Sequence, residues 1–349
     1  MRTRGEPEAN VESTAVDRPI VVAGAGSIGC FVGGLLASAG KPVALLARPG
    51  LIDEIEGNGL NVTSFEGARH AIAPRQLMLS GEGKILAEAG VVLVTVKSAD
   101  TAEIAEMIAR HALGDVVIVS LQNGVGNVPL LRERLRGRKV LAGMVPFNVI
   151  ASGAGRFHRA TSGDIIIERD DADTASRLSV PGLRVRASSD IVGVQWGKLL
   201  VNLNNAINAL SGLPLREQLA QRPWRLLFAD QLAEGLAAVR AEGIKPVSST
   251  AVPLSIAPHL LRLPDLVFAP LLRQSMKIDQ EARSSMYEDL QRGRRTEIDY
   301  LQGVIIEIAE RRGLDVPLSR RIVALIKDAE AAGEGSPRLT ARQIRSEFA

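Results

Sequence analysis

Apolar and polar positions along the chain fall into two regimes. From Ile20 to about Ser188, short continuous apolar runs alternate with stretches of helical spacing. The runs are Ile20–Ala23, Val43–Ala47, Val91–Val96, Val116–Ser120 and Val140–Gly143. Ile28–Ala39 reads as a helix that Gly40 ends, and Thr101–His111 sets Ile104, Met107 and Ile108 on one helical face. Apolar strands separated by helices predict a parallel sheet covered on both faces. From Trp196 onward the spacing is helical and no convincing strand appears. Arg216–Glu242, Leu266–Leu290, Glu297–Arg312 and Leu318–Ala331 are each of helix length. The expected fold is therefore α/β, a doubly wound parallel sheet over residues 19–188 followed by an all-helical domain over 189–332. Residues 1–18 carry charge without an apolar run and are expected to form a flexible tail, and residues 333–349 a polar one.

Composition narrows the class of function. The chain has 349 residues, enough for two cores. Its formal net charge is +3 and only 3% of its residues are aromatic, with no long Lys/Arg tract, so a nucleic-acid partner is not expected. No stretch reaches the roughly 18 apolar residues that a membrane helix needs, and the charged N-terminus lacks the apolar core of a signal peptide. The single cysteine, Cys30, permits no intrachain disulfide and suits a reducing compartment. It falls within the first predicted helix, where packing is the simplest role for it. A cytoplasmic protein is expected, with no metal site.

Chemistry enters at the end of the first strand. Gly24-Ala25-Gly26-Ser27-Ile28-Gly29 is a G-x-G-x-x-G loop between an apolar strand and an apolar helix, the setting that dinucleotide binding requires. Such a Rossmann-type loop offers backbone N–H groups and the positive end of a helix dipole to a pyrophosphate. NAD enzymes place a carboxylate near the end of the second strand for the ribose 2′-hydroxyl. This chain has Arg48 there and no acid before Asp53. A guanidinium suits a 2′-phosphate, so NADP(H) is favoured, a solvated surface arginine being the alternative. Lys97 and Asn123 stand just beyond later strands, where ligands lie in open α/β sheets. A solvated lysine and plain Asn-Gly turn chemistry would also explain them.

In the second half, Lys198, Asn202 and Asn205 fall at i, i+4 and i+7 of one helix. Leucines and a valine flank that face, which points into a polar cleft or forms an exposed polar stripe. Further on, Thr296 could cap a helix with Glu297 in its first turn, a complete structural account of Glu297 that leaves a functional one open. Apolar helices such as Leu213–Val239 could form a homodimer interface, and an intramolecular core explains them equally well.

Together these residues resemble the ketopantoate reductase (2-dehydropantoate 2-reductase) family. The matching segments are the glycine loop, V-x-x-K ending at Lys97, Q-N-G-x-G at Gln122–Gly126, W-x-K-L-x-x-N at Trp196–Asn202, S-S-M-x-x-D at Ser284–Asp289 and G-R-x-T-E-I-D at Gly293–Asp299. They span Ile20 to Ala331, nearly the whole chain. The resemblance implies NADPH-dependent reduction of a 2-oxo acid to a 2-hydroxy acid, 2-dehydropantoate to pantoate in pantothenate biosynthesis. It implies that Lys198 is the general acid and binds substrate with Asn202, Asn205 and Ser285. Asn123 would touch both ligands, and Lys97 and Glu297 the cofactor. Burial is expected to lower the Lys198 pKa, with a nearby Glu297 opposing the shift. Two positions depart from the family pattern. The second asparagine follows the lysine by seven residues instead of eight, so Asn204 and Asn208 compete with Asn205. Leu215 stands where the family usually has asparagine, which leaves open a related 2-oxo acid or opine-type reductase. A nucleotide-sensing regulator without catalysis is the reading from another class.

Overall fold

The computed structural model describes residues 18–248, 252–275 and 282–346. Most of the expected N-terminal tail, residues 1–17, lies outside the described residues. The strands are β1 (Ile20–Ala23), β2 (Val43–Leu46), β3 (Leu60–Ser64), β4 (Arg69–Ile72), β5 (Met78–Ser80), β6 (Val91–Val94), β7 (Val117–Ser120), β8 (Lys139–Met144), β9 (Val149–Ala151), β10 (Arg156–Arg159), β11 (Ile165–Glu168) and β12 (Val185–Ser188). The helices of the first half are α1 (Ser27–Ser38), α2 (Pro49–Asn58), α3 (Thr101–His111), α4 (Asn127–Arg134) and α5 (Thr174–Leu178). Those of the second are α6 (Ile191–Asn202), α7 (Asn204–Ser211), α8 (Leu215–Ala220), α9 (Arg222–Ala241), α10 (Ala257–Leu261), α11 (Asp265–Ser275), α12 (Ser285–Gln291), α13 (Val304–Arg312), α14 (Pro317–Ala332) and α15 (Ala341–Arg345).

The main sheet runs β12-β11-β8-β7-β6-β1-β2-β5. β1, β2, β6 and β7 are buried at every position, which is why they read as unbroken apolar runs. Their register aligns Ala23 with Leu46 and Val94, and Val94 with Ser120, so the carboxyl ends of the strands meet at one edge. The sheet is parallel from β5 to β8, and β11 then pairs antiparallel to β8. α1 covers one face, while α3, α4 and the start of α6 cover the other.

Two features differ from the sequence expectation, and a third adds to it. A second sheet, β4-β3-β10-β9, packs over α1. Its strands are short, and polar residues such as Asn61, Thr63 and His158 face outward, so they leave no continuous apolar run. The boundary expected at 188/189 falls just before a helix that both cores share. Ile191 and Val194 of α6 lie in the core of the sheet, whereas Trp196, Leu199 and Leu200 lie in the core of the helical domain. Finally, the expected polar tail from residue 333 is folded through to residue 346. Thr340 and Gln343 form a capping box at the start of α15, and Ala341 and Ile344 are buried in the helical core. Arg345 binds Asp230 of α9, and the Leu339 N–H donates to Leu210 O at 2.9 Å. The apolar pair at Ala341 and Ile344, spaced for one helix face, outweighs the polar composition around it.

The helical domain is built around α9, against which α6, α8, α10, α13, α14 and α15 pack. Arg225 of α9 is fully buried, and its guanidinium donates to the carbonyls of Leu219, Ala220, Leu261 and Leu263 and to Asp265. Such saturation is what allows a charge to be buried at all.

Candidate active site

The glycine loop leaves β1 at the carboxyl edge of the sheet. Gly24 has φ +91°, and a Cβ there would lie 2.2 Å from Val96 Cγ1 and 2.9 Å from Val96 N. A Cβ on Gly29 would meet Thr95 Oγ1 at 2.6 Å and Val22 Cγ1 at 2.8 Å, so α1 can approach the sheet only as glycine. Gly26 is different. A Cβ there would find nothing nearer than Gly24 O at 3.9 Å, so that side of the loop is open. No side chain caps α1 and no acid lies in its first turn. Ser27 and Ile28 are thus exposed to an anion along with uncapped N–H groups, a fit for a pyrophosphate. Ala25 is held in the loop by its N–H, which donates to Leu46 O at 2.9 Å. Arg48 follows Leu46 by two residues, caps the start of α2 with its backbone and is exposed.

Around the next strand ends, residues from both halves meet. Lys97 Nζ is 2.6 Å from Asp289 Oδ1 and donates to Arg295 O at 3.1 Å. Burial pushes the Asp289 carboxyl above its ordinary pKa, and Lys97 pulls against that. Glu297 reaches from the helical domain to the sheet edge. Its Oε1 accepts from Ser98 Oγ at 2.8 Å and Ser98 N at 3.2 Å, and its Oε2 accepts from Asn123 Nδ2 at 3.1 Å. Thr296 does not draw Glu297 into a helix cap. Its Oγ1 accepts from Ile298 N, and a π-helical turn, Asp299–Gly303, then leads into α13. Gly124 has φ +82°, and a Cβ there would sit 3.2 Å from Tyr300 O, so the loop after β7 closes directly onto this turn.

Lys198 lies on α6, the helix shared by both cores. Asp190 caps that helix by accepting from Gly193 N, and Gln195 Nε2 ties it to β8 through Gly143 O at 3.1 Å. Lys198 Nζ donates to Pro146 O at 3.0 Å. The protein packed around the ammonium desolvates it and pulls its pKa from the ordinary 10.5 down to about 8. No ion pair joins Lys198 to Glu297, and desolvation alone moves the pKa, so the expected opposition from Glu297 is corrected.

The asparagines separate cleanly. The helix is interrupted at Leu203, so Lys198 and Asn202 share α6 while Asn205 opens α7. Asn202 is 5% exposed, and its side-chain amide makes no hydrogen bond among the described residues. Asn204 exchanges amide hydrogen bonds with Gln218 at 3.3 and 3.1 Å. Asn208 donates to Leu213 O and Gln218 Oε1 and accepts from Ser284 N at 2.8 Å. Both are buried and occupied, whereas the Asn205 amide is partly exposed and has no hydrogen-bond partner among the described residues. Ser284 Oγ donates to Asn205 O at 2.9 Å and caps α12, which leaves Ser285, the next residue, exposed. Leu215 lies next to this turn, its N–H donating to Ala282 O at 2.9 Å.

Sequence reasoning missed Ser98, Asn127, Asp289 and the Pro146 carbonyl. Asp289 closed the S-S-M-x-x-D motif, and Asn127 directly follows Q-N-G-x-G. A carbonyl contact such as Pro146 O leaves no mark in a sequence. Cys30 is buried, and burial pushes its thiol up to about 12, which suits packing and not reactivity. Among the described residues, no helix is long and apolar enough to cross a membrane.

Comparison with known proteins gives a consistent picture. The family model for ketopantoate reductase PanE/ApbA matches residues 20–171, and that for its C-terminal part matches residues 190–330. The 2-dehydropantoate 2-reductase of Pyrococcus horikoshii is 30% identical over 324 residues, 91% of this chain and 99% of its own. That of Halobacterium salinarum is 29% identical over 323 residues, 90% of this chain and 99% of its own. Among solved structures, the PanE/ApbA family ketopantoate reductase of Ralstonia eutropha superposes with TM-score 0.76 at 29% identity, covering 90% of this chain and 99% of that one. A D-mandelate dehydrogenase with NADH and anilino(oxo)acetate shares the fold, with TM-score 0.74 at 20% identity over 90% of this chain and 99% of that one.

Proposed function

The chain belongs to the ketopantoate reductase family of NAD(P)H-dependent oxidoreductases acting on a CH–OH group, and from that premise we propose that it reduces 2-dehydropantoate to pantoate with NADPH and Lys198 as general acid. The observation that carries the role of Lys198 is its desolvated ammonium, held by Pro146 O on the helix that joins the two cores. When bound, the dihydronicotinamide supplies the hydride.

The residues of the chain do the rest. Negative charge grows on the substrate's carbonyl oxygen as its C2 carbon is reduced. The Lys198 ammonium stabilises that charge and gives its proton to the oxygen, then regains one from solvent. A pKa of about 8 keeps the amine charged at neutral pH yet makes it a far stronger acid than an exposed lysine. Asn202, Asn205 and Ser285 donate to carboxylate and hydroxyl oxygens without adding charge. The contacts of Lys97 with Asp289 and of Glu297 with Ser98 and Asn123 draw the two halves together.

NADPH over NADH is supported by Arg48, exposed beside the glycine loop with no carboxylate at the strand end. A second reading, a related 2-oxo acid as substrate, is favoured by Leu215 beside the turn that carries Ser285. Following NADPH oxidation at 340 nm with 2-dehydropantoate, pyruvate and 2-oxoisovalerate tests both. Faster turnover of 2-dehydropantoate is expected; a preference for either of the others would replace it as substrate. A homodimer, as in the dimeric ketopantoate reductase of Staphylococcus aureus, is proposed on the same family ground.

A further inference from the structure

Beneath Asn123 and Glu297 lies a buried polar network. Ser98 is 3% exposed, Thr101 0%, Ser120 1%, Gln122 6% and Asn127 5%. Ser120 Oγ donates to Gln122 Oε1 at 3.0 Å, and Gln122 Nε2 donates to Thr101 Oγ1 at 2.8 Å. Thr101 Oγ1 has two acceptors in reach of its one hydrogen, Asn127 Oδ1 at 2.8 Å and Ser98 O at 2.9 Å. The Asn127 amide nitrogen then spends both hydrogens, one on Asn123 O at 2.6 Å and one on Ser98 Oγ at 3.1 Å. Because the Ser98 hydroxyl accepts from Asn127, its own hydrogen is free for Glu297 Oε1 at 2.8 Å.

The direction of these bonds has a consequence. A hydroxyl rotor has one hydrogen, and the donor aimed at it decides where that hydrogen goes. The Asn123 carbonyl, which only a donor can face, fixes the orientation of the Asn127 amide, and Asn127 in turn holds the backbone of Asn123 and the rotor of Ser98. Asn123 Nδ2 and Ser98 Oγ are the groups that hold the two oxygens of Glu297. We infer that Asn127 is a positioning residue for the reduction: it sets the Asn123–Glu297 pair without touching substrate or cofactor. This rests on the reading of Asn123 and Glu297 as ligand contacts.

Asn127→Asp tests it, because the change is nearly isosteric and replaces the amide's two donor hydrogens with an acceptor oxygen of a carboxylate. With the donors gone, the Ser98 hydroxyl turns to the new carboxylate and leaves Glu297. A fall of about tenfold or more in kcat/KM is expected, the size of one lost buried hydrogen bond. In a Glu297→Ala background the pair no longer exists, and the same change should cost less than about threefold, since members of one network are not additive. Ser98→Ala removes only the hydroxyl between the two residues and is run in the same cycle with the same expectation, so the test does not depend on one variant folding. A purely structural role would lower the unfolding midpoint and give losses that multiply in both backgrounds, which would overturn the inference. If Glu297→Ala alone leaves kcat/KM and NADPH affinity unchanged, the reading of Glu297 fails and takes the inference with it. If Glu297→Ala is costly and the cycle multiplies, only the inference fails.

Discussion

Replacing Lys198 by methionine should destroy activity and stabilise the protein. The side chains are of similar length, so the packing of α6 is kept and mainly the charge is lost. The fall of the Lys198 pKa from 10.5 to about 8 is equivalent to about 3 kcal/mol against the charged form in the folded protein. The sign follows from linkage. A lysine whose folded pKa lies below its unfolded value weakens the fold wherever the unfolded chain binds the extra proton. That penalty is complete below pH 8, shrinks between about 8 and 10.5, and vanishes above. The variant also leaves Pro146 O without its donor, a loss of about 1 kcal/mol. Urea unfolding at pH 7 should therefore show a gain of about 2 kcal/mol that disappears by about pH 10.5. NADPH oxidation should fall by about 10²–10⁴-fold, the span of a lost general acid. In the unaltered enzyme, kcat/KM for reduction should be level below about pH 8 and drop tenfold per pH step above it. Equal or lower stability of Lys198→Met at pH 7 would refute the desolvation argument. A rate within threefold of the original would remove Lys198 from the reaction.

Other substitutions test the rest of the reading. Arg48→Ala should weaken NADPH by about tenfold or more, the cost of a charge-assisted hydrogen bond, and leave NADH nearly unchanged in fluorescence titration; equal losses would count against a 2′-phosphate contact. Asn205→Ala should raise the KM of the 2-oxo acid by about tenfold with the unfolding midpoint unmoved, whereas Asn208→Ala should lower stability by about 1–3 kcal/mol. Ile344→Ala should cost about 2–4 kcal/mol in urea, because Ile344 is fully buried in the helical core; a change below about 0.5 kcal/mol would show that α15 contributes little to folding.

The parts legible in the sequence are those whose physics is local. β1, β2, β6 and β7 are buried on both faces, so each is an unbroken apolar word, and the glycine loop is fixed by contacts with residues of its own βα unit and the neighbouring strand. The second sheet was hidden because its pairings are distant. β3 joins β10 through Asn61–Arg156 and Ser64–Arg159, with almost a hundred residues between, and each strand has too few positions to display alternation. α15 was hidden by composition, although Thr340 and Gln343 already carried a capping-box signature three residues apart. The asparagines show a further limit. Sequence spacing left Asn204, Asn205 and Asn208 as equals, and what divides them is Gln218 and Ser284, residues 10 to 80 positions away that occupy two of the three.

The position of Lys198 follows from the same division of labour between local and distant contacts. An ammonium that weakens the fold by about 3 kcal/mol needs a backbone that cannot relax away from it. α6 meets that need because its first turns are buried with the sheet through Ile191 and Val194 and its later turns with the helical core through Trp196, Leu199 and Leu200. Each fully buried Leu or Ile contributes about 1.5–3 kcal/mol, so the anchoring on either side of Lys198 exceeds the strain of desolvating it. Pro146 O can then fix the amine without itself being mobile, since Phe147, the next residue, is buried against Phe31 with ring centroids 5.6 Å apart. A general acid placed on a helix held by only one core would lack the second anchor, and solvation of its ammonium would return its pKa toward 10.5.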